Sequence, residues 1–421
     1  MNSRSYAFEK RVESLRIRAM TLTSLRKLIS LPPGHDIADR QWSVLEAQLS
    51  TVQDRILSRL KRGAGEYLRQ LYSPKIAGKL NSLLGEIELE MSRAFAFFDT
   101  YMDVLTQRLT PEMGPVLAGC DVLAWNAINR DHPALSITEP PLVFCDRGFG
   151  ASIIREEVVL PDGTPNPMPL IQIPYARLKE KYNLTSILHE AGHQAMVRIG
   201  LVSALPKAFR YALSKTGAPD TVKDLFAVWT SEIGPDFWAF CASGAAQAAT
   251  VREILALPRN HVFRISWTDP HPSPYVRVLL SFELCRQAWG RGDWDNWEEE
   301  WLELYPLEDA PIETQKLLRK AREYLPVIGR VLLNTKFKAL NRKTIPDLFS
   351  LSALSPAELQ RVARTAYSGA LDLKGLSPCT QLAVFRVIRG HGELKEETLD
   401  RTMTKWLLKL GEKRTTYPEK R

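Results

Sequence analysis

A chain of 421 residues is long enough to bury a large core, and its 45% hydrophobic and 25% charged residues exclude a disordered or fibrous protein. The five cysteines, Cys120, Cys145, Cys241, Cys285 and Cys379, are odd in number and form no CxxC pair, which argues against a disulfide framework and for a reducing, cytoplasmic setting. The net charge of +8 is uneven: residues 1–30 carry seven Lys or Arg against two Glu and residues 313–343 nine against two, yet with no nucleic-acid motif beside it this charge reads as solvated helix faces before it reads as a nucleic-acid surface.

The first residues, MNSRSYAFEKRVESLRIRAM, lack the apolar stretch of a signal peptide, and no later run of uncharged apolar residues is long enough to cross a membrane. From Arg4 to about Arg130 the apolar residues recur at helical spacing, broken by LPPGHD at 31–36, Gly63, Ser73-Pro74 and Thr110-Pro111. This predicts four or five helices, with Ile37 to Leu60 and Ile76 to Leu109 as the long amphipathic ones.

Near Pro140 the pattern changes. LVFC (142–145), ASIIREEVVL (151–160) and MPLIQIPY (168–175) are short, rich in Val and Ile, and bounded by Gly, Pro and Asp, so they read as strands. The Pro161-Asp162-Gly163 turn predicts antiparallel neighbours, and the prolines at 165, 167, 169 and 174 place the last strand at a sheet edge, where an extended peptide can pair. The fold class expected is therefore mainly α with a small antiparallel β-sheet, divided as an N-terminal helical region (1–135), a core (136–292) and a C-terminal helical region (293–421).

Within that core, NLTSILHEAGHQAMVRIG (183–200) has the length and apolar period of a helix, with Asn183 at its N-cap and Gly200 ending it. His189 and His193, four apart, share one face and can reach one metal, while Glu190 sits beside any water that metal holds. A catalytic zinc takes three protein ligands, and Glu232 in SEIGPD (231–236) is the candidate third. Asp236, one helical turn beyond, is a candidate partner for the far nitrogen of His189. Pro235 fits only the first turn of a helix, so Glu232 is expected at or just before a helix start. Further on, 228–258 is rich in Ala and Gly and reads as a helix that a neighbour can approach closely, and DPHPSPYVRVLLSFELCRQAW (269–289) as a Pro-rich turn leading into another. His271, with Asp269 as an orienting carboxylate, and Tyr275 are candidates to stabilise an oxyanion, and Arg277 is a candidate holder of a carboxylate. His35, His132, His261 and His391 read as loop or surface residues. The charged end, TTYPEKR, reads as frayed.

HEAGH at 189–193 followed by EIGPD at 232–236 resembles the gluzincin group of zinc metalloproteases, the thermolysin-like branch of the zincin fold, over about residues 140–290. The resemblance implies a zincin-like catalytic core with His189, His193 and Glu232 binding zinc, Glu190 as general base and Asp236 bonded behind His189. It further implies hydrolysis of peptide bonds in a peptide or protein substrate. The metzincin pattern HExxHxxGxxH and the GxMEN segment of gluzincin aminopeptidases are absent, and the flanking helical regions match no subgroup. The alternative is a non-catalytic scaffold that keeps zinc for stability; a basic regulatory protein on nucleic acid is a third class.

Overall fold

The computed structural model describes residues 3–22, 24–69, 73–137, 139–148, 150–160, 165–367, 371–392 and 394–414. The expected Pro161-Asp162-Gly163 turn and the TTYPEKR end lie outside the described residues. The described residues are mostly helical, with one small sheet among them. Its N-terminal part is built on α1 (Ser3–Thr21), α2 (Asp39–Arg59), α3 (Pro74–Thr106) and α4 (Met113–Ile128). In α3, Ala77, Leu80, Leu84, Ile87, Met91, Ala94, Phe97 and Tyr101 are buried at three- and four-residue intervals, which makes one apolar stripe. That stripe packs on α1 and α2, and Pro74 opens the helix where its missing N–H costs no bond. By contrast α4 is apolar on every side, and Asp121 within it is fully buried.

The sheet follows, with β1 (Leu142–Asp146), β2 (Ser152–Ile154) and β3 (Leu170–Pro174) in the order β1-β3-β2. It is mixed, not antiparallel as the sequence suggested: β1 runs parallel to β3 with Leu142 opposite Leu170, and only β2 is antiparallel, with Ser152 opposite Gln172. A second correction concerns the prolines. The strand they flank, β3, is central, and β2 is an edge. Pro165 and Pro167 precede β3, the Pro169 carbonyl accepts the Leu142 N–H at 3.0 Å, and Pro174 closes the strand, so the interior residues Ile171, Gln172 and Ile173 keep donors for both sides. The strand expected over 151–160 is also shorter. Asn166 Nδ2 donates to the carbonyls of Ile154 and Arg155 at 3.0 and 3.1 Å, which takes those acceptors out of the ladder and ends β2.

Successive side chains of a strand point to opposite faces. Val143, Ile171 and Ile173 accordingly join the main core, while Leu142, Phe144 and Leu170 join a second core with α2 and α3. The sheet is a partition between the two.

Beyond it come α5 (Thr185–Arg198), α6 (Leu201–Lys215), α7 (Asp220–Ser243), α8 (Ala245–Ile254), α9 (Pro274–Trp289) and α10 (Asp293–Leu304), followed by α11 (Ile312–Glu323), α12 (Leu325–Asn334), α13 (Pro356–Tyr367), α14 (Pro378–His391) and α15 (Glu396–Gly411). The stretch expected as one Ala-rich helix is two, α7 and α8, divided at Gly244 with φ +62°. One continuous hydrophobic core runs from Val116 in α4 to Leu410 in α15, so the three expected segments share it. Among the described residues no helix is long and apolar enough to cross a membrane.

Candidate metal centre

The centre rests on two helices pressed together. α5 is buried over most of its length up to Met196, and Ile187, Leu188, Ala191 and Ala195 fill the core on one side while His189 and His193 share the other. Gly200, with φ +67°, follows its end as expected. Asn183 is not the N-cap: it lies in the turn Lys181–Asn183, its Oδ1 accepts from Arg386 Nη1 at 3.1 Å, and Leu184 holds the cap position with no side-chain bond. α7 crosses α5 at Gly192, where a Cβ would lie 3.0 Å from both Pro235 Cα and Trp238 Cβ. A larger residue there would push the helices apart. That close approach sets Glu232 and Asp236 of α7 against His189.

Glu232 and Pro235 sit inside α7, not at its start. The expectation from Pro235 therefore fails. The proline removes one donor from the helix ladder and leaves the Ser231 carbonyl without its usual partner, a loss eased because Ser231 is exposed at the cleft.

Asp236 Oδ1 accepts from His189 Nδ1 at 2.8 Å, which fixes the ring and turns Nε2 toward Glu232 Oε2 at 3.2 Å. Asp236 is held in turn by Arg277 on α9, through Nε at 2.5 Å and Nη2 at 2.8 Å, and by Gln247 Nε2 at 3.2 Å. This is the carboxylate that Arg277 was expected to hold. His193 Nε2 lies 3.6 Å from Glu232 Oε1. Among the described residues one group of His, Cys, Asp and Glu brings potential ligand atoms within 4.8 Å of one another, and it is His189, Glu190 and His193.

These distances permit a test of fit. Ligand atoms about 2.1 Å from a tetrahedral zinc stand roughly 3.4 Å apart. Glu232 approaches His189 through Oε2 at 3.2 Å and His193 through Oε1 at 3.6 Å, so in donor type two imidazoles and a carboxylate suit such an ion, and small side-chain shifts would bring one Glu232 oxygen to both rings.

The electrostatics follow from burial and charge. Burial disfavours a charged imidazole at His189, but the Asp236 charge and hydrogen bond, with Glu232 beside them, push it up to about 10. His193, buried and close to His189, falls to about 3 and keeps a free lone pair. Burial raises Glu190 to about 7. Burial alone would raise Glu232 and Asp236 too, yet their bonds to His189 and the charge of Arg277 hold both below the usual carboxylate range.

The cluster faces a cleft of about 570 Å³. His271 lines it, 55% exposed, with Nδ1 on Asp269 at 2.6 Å and Nε2 3.6 Å from Glu232 Oε2. Tyr275 does not reach it. That side chain is 1% exposed and packed on Phe263 with ring centroids 5.7 Å apart, because it stands two residues from Arg277 and so on the opposite side of α9, turned into the core. Of the other histidines, His35 and His132 bond backbone carbonyls, and His261 and His391 are exposed.

No family model, curated protein or solved structure matches this chain. A larger cavity of about 750 Å³ lies across α8, lined by Trp294, Trp297 and Trp301, and its arginines are paired, Arg252 with Glu300 and Arg386 and Arg389 with Glu253. Sequence reasoning missed Gln247, and with it a set of buried polar residues on the cleft wall: Arg177, Thr185 and Thr250. Each lies far along the chain from the others or carries no motif.

Proposed function

We propose that the chain is a zinc-dependent peptidase with a zincin-like core, hydrolysing peptide bonds in the cleft beside α5. The observation that carries this reading is the convergence of His189, Glu190 and His193, with the Glu232 carboxylate beside both rings and Asp236 fixing the first. Zinc bound by those three residues would polarise a scissile carbonyl and acidify a water. Glu190, raised to about 7 by burial, is suited to take a proton from that water near neutral pH and deliver it to the leaving amine. His271 at the rim, oriented by Asp269, is the group available to donate to the developing oxyanion. Tyr275 has no part in this scheme. The edge strand β2 contributes Ser152 and Ile153 to the cleft wall, which gives an extended peptide a backbone to pair with.

The test is metal content together with cleavage. Purified protein should carry about one zinc per chain, and His189→Ala or His193→Ala should each abolish stoichiometric zinc, since two remaining ligands hold it poorly. Elemental analysis of both variants and digestion of a broad peptide library by the zinc-loaded wild type supply the readouts. Stoichiometric zinc retained in both variants would overturn the ligand assignment, and zinc without any cleavage would favour the scaffold.

A further inference from the structure

The cleft wall also holds polar groups that the metal centre does not use. Arg177, Thr185 and Thr250 are 5%, 0% and 2% exposed, and all three line the cleft. Arg177 Nε, Thr185 Oγ1 and Thr250 Oγ1 have no hydrogen-bond partner, although buried polar atoms nearly always have one. The only hydrogen bond of the Arg177 side chain among the described residues runs from Nη1 to Glu180 Oε2 at 3.1 Å. Glu180 is 47% exposed, and the nearby Glu253 is already engaged by Arg386 and Arg389 at 2.6 and 2.9 Å. Burial outweighs both acids and lowers the pKa of Arg177, the mark of a buried cation short of counter-charge.

Thr185 is also the first residue of α5. That helix has no side-chain cap and no acid in its first turn, so its positive end is unneutralised where Thr185 and Ser186 face the cleft. Arg155, half-buried on the same wall, makes no side-chain hydrogen bond or ion pair among the described residues. The acids that line the cleft are Glu190 and Glu232, both members of the metal cluster. Among the described residues the half-exposed Glu180, which does not line the cleft, is the one carboxylate paired with Arg177.

We infer that Arg177, Thr185 and Thr250 form a subsite that receives a carboxylate of the substrate. Thr185 precedes His189 by four residues, about 6 Å along the helix. A peptide advances roughly 3.4 Å per residue. The carboxylate recognised therefore belongs within about two residues of the bond held at the cluster, either as a Glu or Asp side chain or as the C-terminal carboxylate. The substrate class is an acidic peptide or a free peptide terminus, recognised by one guanidinium, two hydroxyls and a helix end. This inference rests on the peptidase reading above, but binding tests it without turnover.

The experiment uses the full chain as its zinc-loaded Glu190→Gln variant and dye-labelled hexapeptides of Gly and Ala. These carry one Glu or one Gln at each position and end as a free acid or an amide, with affinity read by fluorescence anisotropy. A carboxylate should tighten binding about ten-fold or more, as charge-assisted bonds to a buried cation do. A penalty on amidation alone identifies the C-terminal carboxylate, and a penalty on Glu-to-Gln exchange alone identifies the side chain. Arg177→Gln should remove the preference, Arg177→Lys restore part of it, and Thr250→Val weaken only the carboxylate-bearing peptides. Charged and neutral peptides that bind the parent protein alike would overturn the subsite, as would a folded Arg177→Gln that keeps the preference. If Arg177→Gln does not fold, an unchanged preference in Thr185→Val and Thr250→Val overturns it. Carboxylate preference with no cleavage by the wild type would remove the peptidase reading and leave the subsite standing, while cleavage indifferent to charge would do the reverse.

Discussion

Two buried ionic networks sit in this chain, and they differ in what they leave unused. In the first, Asp121 of α4 receives Arg108 through Nη1 and Nη2 at 2.8 and 2.9 Å, Arg414 through Nε at 2.5 Å and the Val143 N–H at 2.7 Å, with Asp121 and Arg108 at 0% exposure. Arg414 continues to the Asp36 carbonyl and to Gln41, so one carboxylate ties the N-terminal helices, the sheet and the C-terminal helix together. In the second, Asp236 is just as fully occupied, but Glu190 and His193 make no side-chain hydrogen bond among the described residues and face a cleft. Burial of charge marks both networks. What separates a structural knot from a chemical site is the presence of buried, titratable groups whose lone pairs point at open space.

That contrast can be attacked at each network in turn. The largest effect should come from Glu190→Gln, which keeps size and ligands and removes the proton acceptor. Turnover of any peptide the wild type cleaves should fall about 10²- to 10⁴-fold while zinc content and melting temperature stay at wild-type values or above. Equal cleavage by both proteins would remove Glu190 as the base. Next, Asp121→Asn should destabilise the fold by on the order of 3–5 kcal/mol in chemical denaturation, because two buried guanidinium groups lose their counter-charge, while the folded protein still binds zinc. Loss of zinc in step with stability would show that the two networks act as one unit.

A smaller effect is expected from Asp236→Asn, roughly 10- to 100-fold in zinc affinity, since it disturbs the ring it orients without removing a ligand. The same residue sets a proton linkage. His189 lies above its ordinary value, at about 10, so the metal-free centre holds a proton at neutral pH and zinc must displace it. Affinity should therefore rise with pH up to that value, and calorimetry in buffers of differing ionisation heat at pH 8 should record about one proton released per zinc, and fewer in Asp236→Asn. Least of all, Tyr275→Phe should leave zinc content and turnover unchanged, since the ring is buried away from the cleft and the substitution keeps its packing. A large fall in turnover would return Tyr275 to the site.

The sequence by itself determined what depends on neighbours along the chain. Helical spacing identified the long N-terminal helices and the face that joins His189 to His193. The four-residue step from Glu232 to Asp236 likewise suggested one helical turn between them, although Pro235 set Glu232 at or before a helix start. Only the tertiary structure decided the rest. Pro235 reads locally as a helix breaker, yet the close contact with Gly192 holds it inside α7. The prolines around β3 read as an edge, yet strand order is set by which chain segments return to pair, and β3 returned to the centre. His271 and Tyr275 were equal candidates four residues apart; the turn before α9 leaves one at the cleft, and the helix carries the other into the core. Arg177, Thr185 and Thr250 carry no pattern in sequence, because a buried atom without a partner is a property of three-dimensional packing that no spacing along a chain records.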